Sequence, residues 1–401
     1  MKTLQLKNTR ALCLNILISI VILTIPFYAQ RIALLNTSLS VLTINLVVLS
    51  ITLFITSRKR IIAVFKKEYL LWLFAALFIV SFIPSLLLNP NAHGIGVFFE
   101  WLLMPAITGF LLHAYIQSAA HTFKTVRNTL LFTLFIISVI AVTYFILDIK
   151  TFDGRLSAFY PSPNHLALFI TPIIPLLIAQ FFNLKRIPSK IVYLSIFILS
   201  LFVLFFTNSF ISSASLIISL SFITLIYVQK KKLLLSILLM FFIIISIIIS
   251  HKITSIELNS THNPLFSRAE IWTVAIHHIQ TNTFLNTNHI DSFGQIYLEA
   301  QPFYAPYNTW SAPTPHNLFL TLWISSGFIT VLFFCLLCSR WLYITFHFYK
   351  KTKNATILFY VAALLIILLS GIFDTPFWKN DLSLLFWIIF ILGINQELIK
   401  T

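Results

Sequence analysis

The chain has 401 residues, 59% of them hydrophobic and only 9% charged, with a mean hydropathy of +0.94. A soluble domain carries about 25% charged residues, so the composition excludes an ordinary soluble enzyme and makes lipid the solvent. The net charge of +16 invites a nucleic-acid reading, but where the charges fall gives it a different cause.

Apolar runs of about 17–25 residues, each long enough to cross roughly 30 Å of hydrocarbon as a helix, recur along the whole sequence. In chain order the predicted spans are 11–29, 38–57, 69–89, 95–115, 128–147, 165–182, 191–207, 210–228, 233–250, 316–337, 355–373 and 382–396. The expected fold is an all-α polytopic membrane protein of about 12 transmembrane helices. Residues 1–401 form one integral membrane domain, with no room for a separate soluble unit. The basic start (Lys2, Lys7, Arg10) has no small-residue cleavage site near Ala29, so it reads as the flank of an uncleaved first helix.

With the N-terminus inside, 21 of the 27 Lys and Arg fall in cytoplasmic segments, and only Arg31, Lys150, Arg155, Lys252, Arg268 and Lys379 fall outside. That asymmetry obeys the positive-inside rule. It puts both termini in the cytoplasm and removes the reason to expect a nucleic-acid partner. Cys335 and Cys338 form a CxxC on an apolar helix, where small packing residues are a better reading than a metal or redox pair.

Polar residues gather on the outer side. The segment from Asp148 to Asn164 adds Asp153 and Arg155, and the much longer 251–315 loop between the ninth and tenth spans holds five of the 11 histidines. A loop of that length is functional or disordered. Trp272 and Trp310, with several Phe and Tyr, give it apolar area to bury on the membrane surface, which argues for order.

Within it, Ser267-Arg268-Ala269-Glu270 has the spacing of a capping box, and Ile271, Trp272, Ala275, Ile276 and Ile279 follow at helical intervals. This predicts a helix lying on the membrane with Arg268 in its first turn. A helix N-terminus with a guanidinium suits a phosphate group; pairing of Arg268 with Glu270 or a lipid headgroup is the structural alternative.

Two spans open alike, at Ser162-Pro163-Asn164-His165 and Thr314-Pro315-His316-Asn317, each with a capping hydroxyl and Pro at the first helical position. Each puts an imidazole and an amide at the outer boundary. His316 is a candidate general base. From the local chemistry alone, a residue that merely caps or anchors its helix is the stronger reading for both histidines, more so for His165.

The segment Arg155-Leu156-Ser157-Ala158-Phe159-Tyr160-Pro161-Ser162-Pro163-Asn164-His165, then Ser267-Arg268-Ala269-Glu270-Ile271-Trp272, then His316-Asn317-Leu318-Phe319-Leu320 with Gly327 following, resemble in order the motifs of the O-antigen ligase and polymerase superfamily. The resemblance covers roughly residues 150–330. It implies a bacterial inner-membrane glycosyltransferase of lipopolysaccharide biosynthesis, metal-independent and without a cofactor. Its active site would be periplasmic, beside a large periplasmic loop over 251–315 that contains short helices. The enzyme would move an O-antigen glycan from undecaprenyl diphosphate to a lipid A-core sugar, so the implied partners are the carrier-linked donor, the lipid A-core acceptor and membrane lipid.

By position, the resemblance makes His316 the catalytic residue and gives Arg155 and Arg268 the diphosphate, with Asn164 and Asn317 completing the substrate-binding set. Two guanidiniums can neutralise a departing diphosphate as a metal does elsewhere. The chain departs from the pattern at Phe210, where many members carry Arg after Thr207-Asn208-Ser209, and at Ser325-Ser326, where an acidic residue often precedes the glycine.

An O-antigen polymerase or a protein O-oligosaccharyltransferase of the same superfamily would share the diphosphate chemistry and differ in acceptor. A twelve-span transporter or flippase is the reading from another class, but such proteins put ionisable groups near the midplane and repeat their halves. Here the spans are nearly free of charge and no repeat is visible. A metal-dependent oligosaccharyltransferase is disfavoured because the first outer loop, 30–37, has no acidic pair.

Overall fold

A computed structural model describes residues 2–34, 37–227, 264–281, 288–303 and 311–395. The predicted span 233–250, and with it His251, Glu257 and His262 of the long loop, lie outside the described residues. The described chain is that of an all-α polytopic membrane protein. Among the described residues nine helices are long and apolar enough to cross a membrane: Thr9–Phe27, Val41–Lys67, Tyr69–Leu88, Ala92–Ile116, Ala120–Ile146, Pro163–Asn183, Ile187–Phe206, Phe210–Tyr227 and Phe328–Thr352. Two shorter apolar helices, Thr356–Ser370 and Asn380–Ile394, accompany them. Among the described residues the only sheet is a hairpin pairing Arg31–Leu34 with Thr37–Ser40.

Apolar composition does not say which helices are central, since lipid and protein interior are equally apolar. Burial does. The most apolar part of Pro163–Asn183 is 78% buried, against 56% or less in each of the other eight. Asn380–Ile394 is buried along nearly its whole length. The outer helices instead turn residues such as Phe54, Ile55 and Phe205 outward, as lipid-facing surfaces do.

The last helix can sit this deep because Gly393 admits the Trp341 ring: a Cβ there would lie 2.0 Å from Cζ2 of the indole. The same indole donates to the Phe390 carbonyl at 2.7 Å, so the ring cannot easily swing away. Gly393→Ala is therefore expected to lower stability by about 1–3 kcal/mol, the usual cost of overpacking, read as a drop in the thermal midpoint of the detergent-solubilised protein.

The predicted tenth span, 316–337, is not one helix. The chain forms Leu318–Ser326, breaks at Gly327 (φ +86°), and crosses only with Phe328–Thr352. An apolar run conceals such a break. Polar groups at membrane depth need internal partners, and here Ser326 Oγ donates to the Ser81 carbonyl at 2.7 Å and lies 3.1 Å from Ser85 Oγ.

One end of the bundle gathers the hairpin, the 147–162 connection, the turn after Phe206, the helix Pro264–Thr281 and the turn 371–379. The opposite end carries Lys66, Lys67, Lys185, Arg186, Lys350 and Lys351.

Candidate functional site

Arg155 is built into a tight turn. Thr151 Oγ1 donates to the Arg155 carbonyl at 2.9 Å, Gly154 supplies the left-handed residue (φ +73°), and Leu156 N–H donates to the Phe206 carbonyl at 2.9 Å. The backbone is thereby pinned to the end of Ile187–Phe206, and the guanidinium reaches inward. Its Nε donates to the Thr207 carbonyl at 2.8 Å, Nη2 to Asn164 Oδ1 at 2.7 Å, and Nη1 lies 3.6 Å from Asp153 Oδ2. Burial lowers the pKa of this group, while Asp153 and Asp374 oppose the shift. Asn164 is thus in place through Ser162, which caps its helix by accepting from His165 N–H as the sequence predicts.

Arg268 lies on the helix Pro264–Thr281. The helix begins at Pro264, so Ser267 is interior and is not the cap predicted from its spacing to Glu270. Proline's fixed φ suits the first helical position, and that starts the helix a turn earlier. Glu270 accepts from the Tyr297 hydroxyl at 2.9 Å. One turn beyond Arg268, the Trp272 indole donates to the Pro315 carbonyl at 2.9 Å and packs 5.7 Å from the Phe373 ring. Arg268 Nε is buried with no hydrogen-bond partner among the described residues. Burial lowers the Arg268 pKa; the field of Asp374 raises it and that of Arg155 lowers it.

His316 precedes its helix rather than opening it. Asn317 is the N-cap, its Oδ1 accepting from Leu320 N–H at 3.0 Å while its Nδ2 donates to the Ile372 carbonyl at 2.8 Å. Pro315 cannot serve as first helical residue because its carbonyl is taken by Trp272 and the next residues are tied to the 371–379 turn. Leu318 N–H donates to the Gly371 carbonyl at 2.7 Å. His316 is left at φ +48°, a left-handed conformation uncommon for a side-chain-bearing residue. Its half-buried ring puts Nδ1 3.4 Å from Asp374 Oδ1.

Burial alone would raise the Asp374 pKa, but the His316 contact, the Arg268 charge and the Thr375 N–H outweigh it and hold the carboxyl below its ordinary value. With a proton on Nδ1 facing Asp374, Nε2 keeps its lone pair. This is the arrangement of a base oriented by a carboxylate.

The structure therefore brings Arg155, Asn164, Arg268, His316 and Asn317 to one end of the bundle, around Asp374. His165 departs from its expected role as an interfacial residue: it is 4% exposed, with Nε2 2.8 Å from Asp381 Oδ2. Sequence reasoning missed Asp374, Lys379 and Asp381. The only signal was three charged residues crowded into a short outer turn of a chain with 11 acidic residues in all.

Fold and site together define a polytopic membrane protein with Arg155, Arg268 and a His316–Asp374 pair at one end of the bundle. The O-antigen ligase family model matches residues 195–335, and the chain resembles the O-antigen ligase and polymerase superfamily. The matched stretch takes in Arg268 and His316; Arg155 and Asp374 lie outside it. No curated protein matches the chain.

Proposed function

We propose that this protein is a glycosyltransferase of the ligase type, moving a glycan from undecaprenyl diphosphate to a lipid A-core sugar on the periplasmic face of the inner membrane, without a metal. The observation that carries this reading is a histidine oriented by a carboxylate, His316 Nδ1 3.4 Å from Asp374 Oδ1, with Arg155 and Arg268 both in the field of that carboxylate. The guanidiniums bind the diphosphate, and their charge makes it a better leaving group. Asn164 and Asn317 serve substrate binding by fixing the Arg155 fork and the His316 turn.

The test is the lipopolysaccharide of a deletion strain. Loss of all polymer from the core with accumulation of long carrier-linked chains supports the ligase. Single repeats on the core would point to a polymerase, and unchanged lipopolysaccharide with an altered pilin to a protein glycosylator.

The orientation has its own test, which rests on charge asymmetry over about 12 spans with a periplasmic loop at 251–315. Reporter fusions at Lys231 and Lys351 are expected to read cytoplasmic, and a fusion at Asn286 external. An external signal at Lys231 would put the site on the wrong face for a carrier-linked donor.

A further inference from the structure

Lys379 ends the turn that carries Asp374 and directly precedes the helix Asn380–Ile394. Its side chain turns into the protein: Nζ is 3.3 Å from His165 Nδ1 and 5.9 Å from the centroid of the Tyr28 ring. His165 Nε2 sits on Asp381 Oδ2 at 2.8 Å, and Asp381 is fully buried. A buried carboxylate needs a proton donor, so it takes the Nε2–H. The imidazole then presents one lone pair at Nδ1, shared between the Lys379 ammonium and the Tyr28 hydroxyl, which lies 3.2 Å away. Asp381, His165 and Lys379 thus form a continuous chain that supports the ammonium from behind.

That chain has a feature a simple rivet between helices lacks. The hydrogen-bond acceptor of Lys379 among the described residues is an imidazole, not a carboxylate. An ammonium has three donors, so this leaves donors to face outward. His165, which holds Nζ, adjoins Asn164, the acceptor of the Arg155 fork, and Lys379 lies in the fields of Asp381, Asp374 and Asp291. A third cation beside Arg155 and Arg268 adds a hydrogen-bond donor where a diphosphate is proposed to bind.

We propose that Lys379 is a third cation of the polyprenyl diphosphate site, aimed at the phosphate oxygens by the buried Asp381–His165 pair. The proposal rests on the reading of Arg155 and Arg268 as diphosphate ligands. Lys379 contacts the ligand; Asp381 and His165 are positioning residues.

The test uses the full chain in detergent and measures binding of undecaprenyl diphosphate and of undecaprenyl monophosphate by tryptophan fluorescence. Lys379→Met is expected to weaken diphosphate binding by about ten- to a hundredfold, the range for one charge-assisted hydrogen bond. Its effect on the monophosphate should be smaller, and Lys379→Arg should restore most of the loss. His165→Leu keeps all three cations but removes the acceptor of Nζ; several-fold weaker binding is expected, with a raised KM for donor and a nearly unchanged kcat. Where Lys379→Met does not insert, His165→Leu carries the test, and unchanged binding in it overturns the proposal. Wild-type binding in Lys379→Met beside weakened binding in Arg268→Lys would overturn the third cation and leave the two-arginine reading standing. Wild-type binding in all of these variants would overturn both.

Discussion

Replacing His316 with alanine is expected to slow glycan transfer by about a hundred- to ten-thousand-fold, the usual contribution of a general base, while the protein inserts and binds carrier-linked donor normally. In the reaction, the acceptor hydroxyl oxygen forms a bond to the anomeric carbon as the bond from that carbon to the diphosphate breaks. The diphosphate departs with the electron pair, and the hydroxyl proton passes to Nε2 of His316. Asp374, 3.4 Å from Nδ1, holds the ring in the tautomer that can accept the proton and stabilises the imidazolium that results. Asp374→Asn should therefore lower kcat in the same direction. Near wild-type transfer in His316→Ala would make His316 a structural residue of the turn and send the search for the base to His277, His278 and the other acid–base residues of the long loop.

The features of the sequence that are periodic or continuous were the readable ones. Apolar runs bounded by Lys and Arg place most of the described helices of the bundle, because length and charge are what the bilayer selects, although Val41–Lys67 runs ten residues past its predicted end and Ala120–Ile146 begins eight residues before its predicted start. The Ser162 cap and Pro163 were readable too, since both act within one turn. What failed was set by distant partners. Gly327 interrupts an apolar stretch without changing its hydropathy, and only Ser81 and Ser85, on another span, show where the break is satisfied.

The site follows the same division. Arg268 and His316 stand out as polar residues near helix starts and Arg155 as one of the few outer cations, whereas Asp374 acquires its meaning from His316, 58 positions away. His165 looked interfacial because a histidine beside a helix-opening proline usually is. It is instead buried by a carboxylate 216 positions further on, a pairing that no local pattern encodes.

The second large effect is expected at the arginines. Arg268→Lys should lower kcat/KM by roughly a hundred- to a thousandfold, the range for losing one preorganised donor to a developing anion, with protein level unchanged. A lysine keeps the charge but not the planar fork that grips two phosphate oxygens. At Arg155 the loss has a second cause. The native side chain spans the Thr207 carbonyl and Asn164 Oδ1 at once, and an ammonium that reaches one leaves the other buried acceptor unpaired at a cost of about 1–3 kcal/mol. Arg155→Lys should therefore also lower the thermal midpoint, while Arg268→Lys, whose Nε has no partner among the described residues, should not. That contrast separates Arg155, which also braces its turn, from Arg268. A chelator should leave the native enzyme active, because the leaving charge is neutralised by side chains. Inhibition by chelator reversed with Mg²⁺, or full activity in Arg268→Lys, would defeat the two-arginine scheme.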